Sequence, residues 1–409
     1  MKALVLAGGY AQIALIDELK RRGIYTLLAD YYAEPVAKPY ADKFFQVSTL
    51  DIEKIQEIAQ SEAVDFLITA CTDQALLTVA KVSENLGLPC YVDYETARNV
   101  TNKKYMKDVF LANDVPTAKH VTIQKEKPYT IENLSFPLIV KPADCNSSKG
   151  VRKVTDMEQF HAALADALNF SRTNTAVAEE FIEGPELSID VWVEEGKAHV
   201  LCVSNSEKIA DADKFVIFRG NYPAKEAAVV QEEIKEVAQK IADAFGIKNS
   251  PMLIQAIYRD GHIFVLEFSA RTGGGVKYLM IQRASGFDVI RGVVDLTLGE
   301  KPHVGELAEE YKYISNEFVY CHEGVFDKLV GFEELKQNGT IVDYYLFKWQ
   351  GAIMKDIQSS GDRICGFTIG ANTIKELQNK HANACASMKV LDDNGNDIMR
   401  RDLLPNIKE

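Results

Sequence analysis

Behind its first lysine, the segment Lys2–Ala7 is an unbroken apolar run. Gly8-Gly9 ends it, and helical spacing follows at once in Ile13–Arg22. The unit then repeats. Tyr25–Ala29 is a second short apolar run ending at Asp30. Phe44–Val47, Phe66–Ala70 and Cys90–Val92 follow, with helical stretches at Ile52–Ser61 and Gln74–Gly87 between them. Short strands apolar on both faces, alternating with helices, form a parallel sheet covered on both sides. The spacing therefore predicts a Rossmann-like α/β unit over residues 1–96.

Beyond it the pattern changes. A helix is predicted over Asn102–Val115 with Pro116 at its exit, then a strand at Phe136–Lys141 followed by a small, polar stretch at 142–150. Leu187–Val193 and His199–Val203 read as one hairpin, Met252–Tyr258 and His262–Phe268 as another. The dipeptide Asp260-Gly261 is a hairpin-turn signal. A helix over Glu226–Phe245 separates them. The last hundred residues carry short strands (Glu317–Tyr320, Tyr344–Phe347, Arg363–Ile369) and a helix (Thr373–Met388). The expected fold is α/β: the N-terminal unit, an α+β region over 97–305 and a smaller α+β lobe over 306–409.

Composition narrows the function classes. A chain of 409 residues with 47% apolar and 26% charged side chains has material for two or three globular domains. Its net charge of −13 argues against a reader of nucleic-acid backbones, which needs a basic face. No apolar run approaches the ~18 residues of a membrane span. The polar helix behind Gly8-Gly9 makes a poor signal peptide, so a cytoplasmic protein is expected. Seven scattered cysteines without a C-x-x-C pair give neither a disulfide framework nor a zinc site.

Four segments carry candidate chemistry. In Val265-Leu266-Glu267-Phe268-Ser269-Ala270-Arg271 a carboxylate and an arginine stand four apart on a strand end, and side chains repeat every two residues. The glycines 273–275 follow, and the hairpin sets Gln255 near Glu267 at its open end. Oxygen donors beside an arginine suit Mg²⁺ and phosphate. An exposed hairpin end followed by a glycine turn would read the same way. Lys141 ends an apolar strand, where an unpaired lysine is rarely buried, and the polar loop through Lys149-Gly150 could cover a phosphate. A surface turn is the alternative. Glu179-Glu180-Phe181-Ile182 and Glu186 could hold an adenine amino group and ribose hydroxyls, or form a solvated edge. Lys103, opening its helix, is the fourth.

In their order and spacing these segments resemble the ATP-grasp superfamily, over essentially the whole chain. The resemblance is to carbamoyl phosphate synthetase-like and L-amino-acid-ligase-like carboxylate–amine ligases. It implies a preATP-grasp domain at 1–96, an ATP-grasp domain at 97–305 with a flap about 142–150, and a C-terminal lobe. It also implies ATP-binding roles for Lys103, Lys141, Lys149, Glu179, Ile182 and Glu186. Gln255, Glu267 and Ser269 are implied as ligands of one or two Mg²⁺ (or Mn²⁺), and Arg271 with Lys141 as the catalytic pair. Ser269 stands where the family usually has an asparagine, and the flap has no glycine before Gly150.

The activity so implied is phosphorylation of a small carboxylate by ATP, then attack on the acylphosphate by an amine or thiol. Phosphorylation of bicarbonate, as in a carboxylase or a carbamoyl phosphate synthetase, is the alternative. Lys208, Arg219 and Gly274 are the substrate-contact candidates, with Lys214, Lys277, Tyr278 and Arg363 behind them. Small-molecule carboxylate and amine substrates are expected as partners, with no nucleic acid or membrane, and a homodimer from the habit of the family. A nicotinamide-dependent dehydrogenase is disfavoured, since Gly8-Gly9-Tyr10-Ala11-Gln12-Ile13 lacks G-x-G-x-x-G. A nucleotide-binding subunit without turnover is the remaining rival.

Overall fold

The computed structural model describes residues 1–145, 150–209 and 216–408. Lys149 and Lys214 lie outside the described residues, as does the flap between Cys145 and Gly150.

The N-terminal unit is a four-stranded parallel sheet of β1 (Lys2–Leu6), β2 (Tyr25–Asp30), β3 (Lys43–Gln46) and β4 (Phe66–Ile68), in the order β3-β2-β1-β4. Helices α1 (Tyr10–Arg21), α2 (Ile52–Ser61) and α3 (Asp73–Leu86) cover it. Leu4, Leu6, Leu27 and Ala29 pack with α2 and α3, while Ala3, Val5 and Leu28 pack with α1. This is the two-sided burial that uniformly apolar strands require. The expected fifth strand at Cys90–Val92 does not form. Gly87 ends α3 in the left-handed conformation at φ 66°, and Pro89 lacks the N–H a ladder needs, so the chain passes as a connection into α4 (Tyr94–Asn99).

Next come α5 (Lys103–Ala112) and a four-stranded antiparallel sheet in the order β5-β8-β6-β7. Its strands are β5 (His120–Gln124), β6 (Leu138–Pro142), β7 (Arg152–Val154) and β8 (Thr175–Glu180), backed by α6 (Met157–Phe170). The larger sheet is built on β9 (Glu186–Glu194), β10 (Lys197–Lys208), β11 (Ile217–Tyr222), β12 (Ser250–Arg259) and β13 (His262–Ser269), with α7 (Gln231–Ala244) packed behind it. Helices α8 (Lys277–Ser285) and α9 (Val289–Thr297) join it to the N-terminal unit. Trp192 packs with both α1 and α9 in one apolar cluster. A Cβ on Gly292 would sit 2.7 Å from the Trp192 ring, so only glycine admits this approach.

The remaining strands are β14 (Tyr313–Val319), β15 (Gly324–Val330), β16 (Asp343–Leu346), β17 (Ile353–Met354), β18 (Cys365–Ala371) and β19 (Lys389–Asp392). With them go α10 (Phe332–Gln337) and α11 (Ile374–Ser387). Three of these strands extend the large sheet, which runs β13-β12-β9-β10-β11-β14-β18-β16. The others form a small sheet ordered β17-β15-β19. Among the described residues no helix is long and apolar enough to cross a membrane.

Candidate active site

Alternation on β6 and β8 puts two kinds of side chain on two faces. Leu138, Val140, Ala176 and Ala178 face α6 in the core, while Ile139, Lys141 and Glu179 face a cleft between the two antiparallel sheets. Lys141 is 6% exposed and donates to Glu179 Oε1. Lys107, on α5, approaches Glu179 Oε2 at 2.8 Å and donates to Thr117 Oγ1 at 2.5 Å. Burial would raise the Glu179 carboxyl, but the Lys107 and Lys141 ammonium groups outweigh it and hold it at about 2. Lys107 is pushed below the usual lysine value, first by burial and also by Lys141, with Glu179 opposing.

Lys103 opens α5, whose N-cap Asn102 accepts from the Tyr105 N–H. Its Nζ donates to Cys145 O at 2.7 Å and lies 3.0 Å from Glu267 Oε2. Burial lowers the Lys103 value, and Glu267 more than restores it. The Glu267 carboxyl, raised by burial, is brought below its ordinary value chiefly by Lys103.

The β12–β13 hairpin turns at Asp260 and Gly261, both in the left-handed region at φ 53° and 86°. Gln255 pairs with Glu267 and Ala256 with Val265, so Leu266 is an unpaired bulge residue. The bulge re-aims the strand. Ile263 and Val265 lie in the core, Leu266 and Glu267 both line the cleft, and Phe268 returns to the core. Across the sheet, Gln255 Nε2 donates to Glu186 Oε1 at 3.1 Å, and Lys208 Nζ donates to Glu186 Oε2 at 2.5 Å.

The cleft holds about 420 Å³. Apolar side chains from both sheets line it, among them Ile139, Ile182, Ile257 and Leu266, with Lys103, Lys141, Lys208, Glu186, Gln255 and Glu267 as its polar groups. Apolar walls with a few convergent charges suit a planar base carrying a polyanion. A smaller polar hollow adjoins it, lined in part by Asp73, Thr101, Lys103, Glu267 and Ser269.

Gln255, Glu267 and Ser269 offer oxygen donors along one face, with a single negative charge among them. Among the described residues no three His, Cys, Asp or Glu group as a metal cluster. Such a donor set fits Mg²⁺ that arrives with phosphate oxygens, which complete its shell.

Residues 134–279 match the model of the ATP-grasp domain. That segment is an ATP-grasp domain. It is 24% identical over 342 residues to an L-arginine-specific L-amino acid ligase of Bacillus subtilis, covering 80% of this chain and 81% of that protein. It is 22% identical over 374 residues to the multifunctional protein ura1 of Schizosaccharomyces pombe. That match covers 87% of this chain and 16% of that protein, so the chain spans about a sixth of this relative. The fold is that of the biotin carboxylase domain of Hydrogenobacter thermophilus 2-oxoglutarate carboxylase, solved as a dimer with MgADP, ADP and bicarbonate. Its TM-score is 0.81 at 16% identity, over 98% of this chain and 92% of that one.

The cleft brings together Lys103, Lys141, Glu179, Ile182, Glu186, Lys208, Gln255 and Glu267. The Glu179 side chain lines the cleft and is held between Lys107 and Lys141, and the segment Glu180–Ile182 lines the cleft beside it. One expectation, that of Arg219, needs correction. Arg219 is not a substrate contact. It is 1% exposed, donates from Nε to Glu317 Oε1 at 2.6 Å and from Nη2 to Pro405 O, and lies against His381. Lys208 lines the cleft and pairs there with Glu186.

Ser269 lines the adjoining hollow rather than the cleft. Gly274 is exposed, with the Cys71 carbonyl 3.9 Å from the position of a Cβ. Arg271 forks onto Asp73 of α3. Sequence reasoning passed over Lys107 and Asp73. Lys107 was legible, being four residues after Lys103 on one helix face. Asp73 carries no local signal.

Proposed function

We propose that this chain is an ATP-dependent ligase that joins a small, amino-acid-like carboxylate to an amine through an acylphosphate. The observation that carries the reading is the cleft itself. Two clamping sheets enclose three lysines, a register-paired Gln255 and Glu267, and apolar walls for a base. The match across four-fifths of both this chain and an L-amino acid ligase supports it further.

The residues divide the work by charge. An ammonium group has three N–H donors; Lys141 gives one to Glu179, and Lys103 gives one to Cys145 O and turns another to Glu267 Oε2, which leaves two on Lys141 and one on Lys103 for phosphate oxygens. Glu186, with both oxygens already accepting once, keeps acceptor capacity for ribose hydroxyls. Gln255 and Glu267 would hold Mg²⁺, which would supply charge neutralisation at the transferring group. A carboxylate oxygen takes the γ-phosphoryl as the bond to ADP breaks. The amine then attacks the acyl carbon, inorganic phosphate leaves, and the nitrogen loses its proton. Catalysis here is positioning and electrostatics, with no enzyme nucleophile.

The test is ADP and phosphate release from MgATP with pooled amino acids, products being read by mass spectrometry. A product lighter by one water than its two substrates establishes the ligase. Release with bicarbonate alone moves the chain to the bicarbonate-phosphorylating class, and release with neither overturns the reading.

A further inference from the structure

Arg271 is held by a residue from another part of the molecule. Asp73, in the first turn of α3, precedes it by 198 residues. The two meet as a fork: Arg271 Nε donates to Asp73 Oδ1 at 2.6 Å, and Nη2 donates to Oδ2 at 2.5 Å. A third bond runs from Nη1 to Thr272 O at 2.7 Å. The two side chains are only 13% and 12% exposed. Three of the five N–H bonds are thereby committed and the plane of the guanidinium is fixed. Two N–H bonds remain for an anion.

Asp73 is also one step from the nucleotide cleft. The hollow it lines with Thr101 and Ser269 shares Lys103 and Glu267 with that cleft. Elsewhere on the molecule, Arg22, which caps the end of α1, pairs with Asp295 of α9, a second tie between the N-terminal unit and the rest. The fold therefore has a structural strut of the same chemistry, against which Asp73 can be compared.

We infer that Asp73 is a positioning residue for Arg271: the N-terminal unit supplies the carboxylate that aims this arginine at the transferring phosphoryl group. The inference rests on the ligase reading and on the catalytic role that the ATP-grasp resemblance implies for Arg271. It adds that the chemistry depends on the N-terminal unit as well as on the clamping sheets. A carboxamide at position 73 keeps the size but accepts with one atom only, so the fork and its aim are lost.

The experiment compares affinity for MgADP with affinity for MgADP–aluminium fluoride, a mimic of the transferring phosphoryl, and so needs no carboxylate substrate. Asp73→Asn is expected to weaken the mimic about tenfold or more, the scale on which misplaced groups act. MgADP affinity should stay within about twofold. Asp73→Glu should restore part of the loss. Asp295→Asn should lower the melting temperature without separating the two ligands. Adding Asp73→Asn to Arg271→Ala should cost no further affinity, because Asp73 acts through Arg271.

Equal behaviour of Asp73→Asn and Asp295→Asn would overturn the inference. So would a wild-type protein that binds the mimic no better than MgADP. A wild-type protein that binds neither removes the ligase reading itself, and the inference with it.

Discussion

Lys107 Nζ and Glu179 Oε2 lie 2.8 Å apart, with side chains 1% and 3% exposed, and Lys141 closes on the other oxygen of the same carboxylate. One buried negative charge thus stands between two positive ones at the floor of the cleft. The excess positive charge is what a polyphosphate needs, and Glu179 is what lets both lysines be buried before one arrives. A buried cluster of this kind is sensitive to loss of a member, since the remaining charges stay desolvated.

Glu179→Gln should therefore destabilise the fold by about 3–5 kcal/mol, read by urea unfolding at neutral pH. The pH dependence has a definite sign. Burial raises the Glu179 carboxyl, but Lys107 and Lys141 hold it at about 2 in the folded state, against an ordinary 4.5. Its stabilising contribution is present in full above the unfolded value and is lost as pH falls from there through the folded value. The stability gap between wild type and Glu179→Gln should hold steady from pH 7 to about 5 and narrow below that. A gap that widens on acidification would contradict the pairing.

Glu267→Gln removes the one negative charge among Gln255, Glu267 and Ser269 and leaves Lys103 without its carboxylate. The Mg²⁺ concentration needed for half-saturation of nucleotide binding should rise about tenfold or more, measured with a fluorescent ADP analogue. An unchanged Mg²⁺ requirement would place the cation elsewhere.

Arg219 illustrates a charge whose sequence context misleads. It lies on β11 beside residues of the cleft, yet alternation turns it away to Glu317, His381 and the Pro405 carbonyl. Arg219→Met should cost about 3–5 kcal/mol of stability, leaving Glu317 buried with a weaker partner. The folded fraction should keep its KM for the carboxylate substrate. A raised KM at unchanged stability would restore it as a substrate contact.

What could be read from the sequence follows from the range of the interactions. Lys103, Lys141 and Glu267 were legible because each sits at or near a strand or helix end whose local pattern is two- or four-residue periodic, and Gln255 because it lies across the hairpin from Glu267. The hairpin turn brought Gln255 and Glu267 near each other, and the bulge at Leu266 made them partners. Cys90–Val92 was misread because three apolar residues cannot show whether a ladder partner exists. Arg271 was legible as an arginine on the strand exit but not as a partner of Asp73, since nothing local links positions 198 residues apart. The extension of the large sheet by β14, β18 and β16 was hidden for the same reason: strand pairing is decided by packing between distant segments.

Gly292 offers a test of how the N-terminal unit is held without touching the cleft. The Trp192 ring lies against α9 where a Cβ would approach Cη2 to 2.7 Å, and the same apolar cluster includes Leu15, Ile16 and Leu19 of α1. A methyl group there must push Trp192 or α9 away, and a buried indole has little room to yield. Gly292→Ala should cost about 1–3 kcal/mol, read by urea unfolding, with a shift in tryptophan emission as Trp192 loses its packing. Because the same contact helps seat the unit that carries Asp73, the loss should extend to the phosphoryl mimic before it reaches MgADP. Equal weakening of both ligands would mean that the strain spreads into the clamping sheets, and that the N-terminal unit does not act on Arg271 alone.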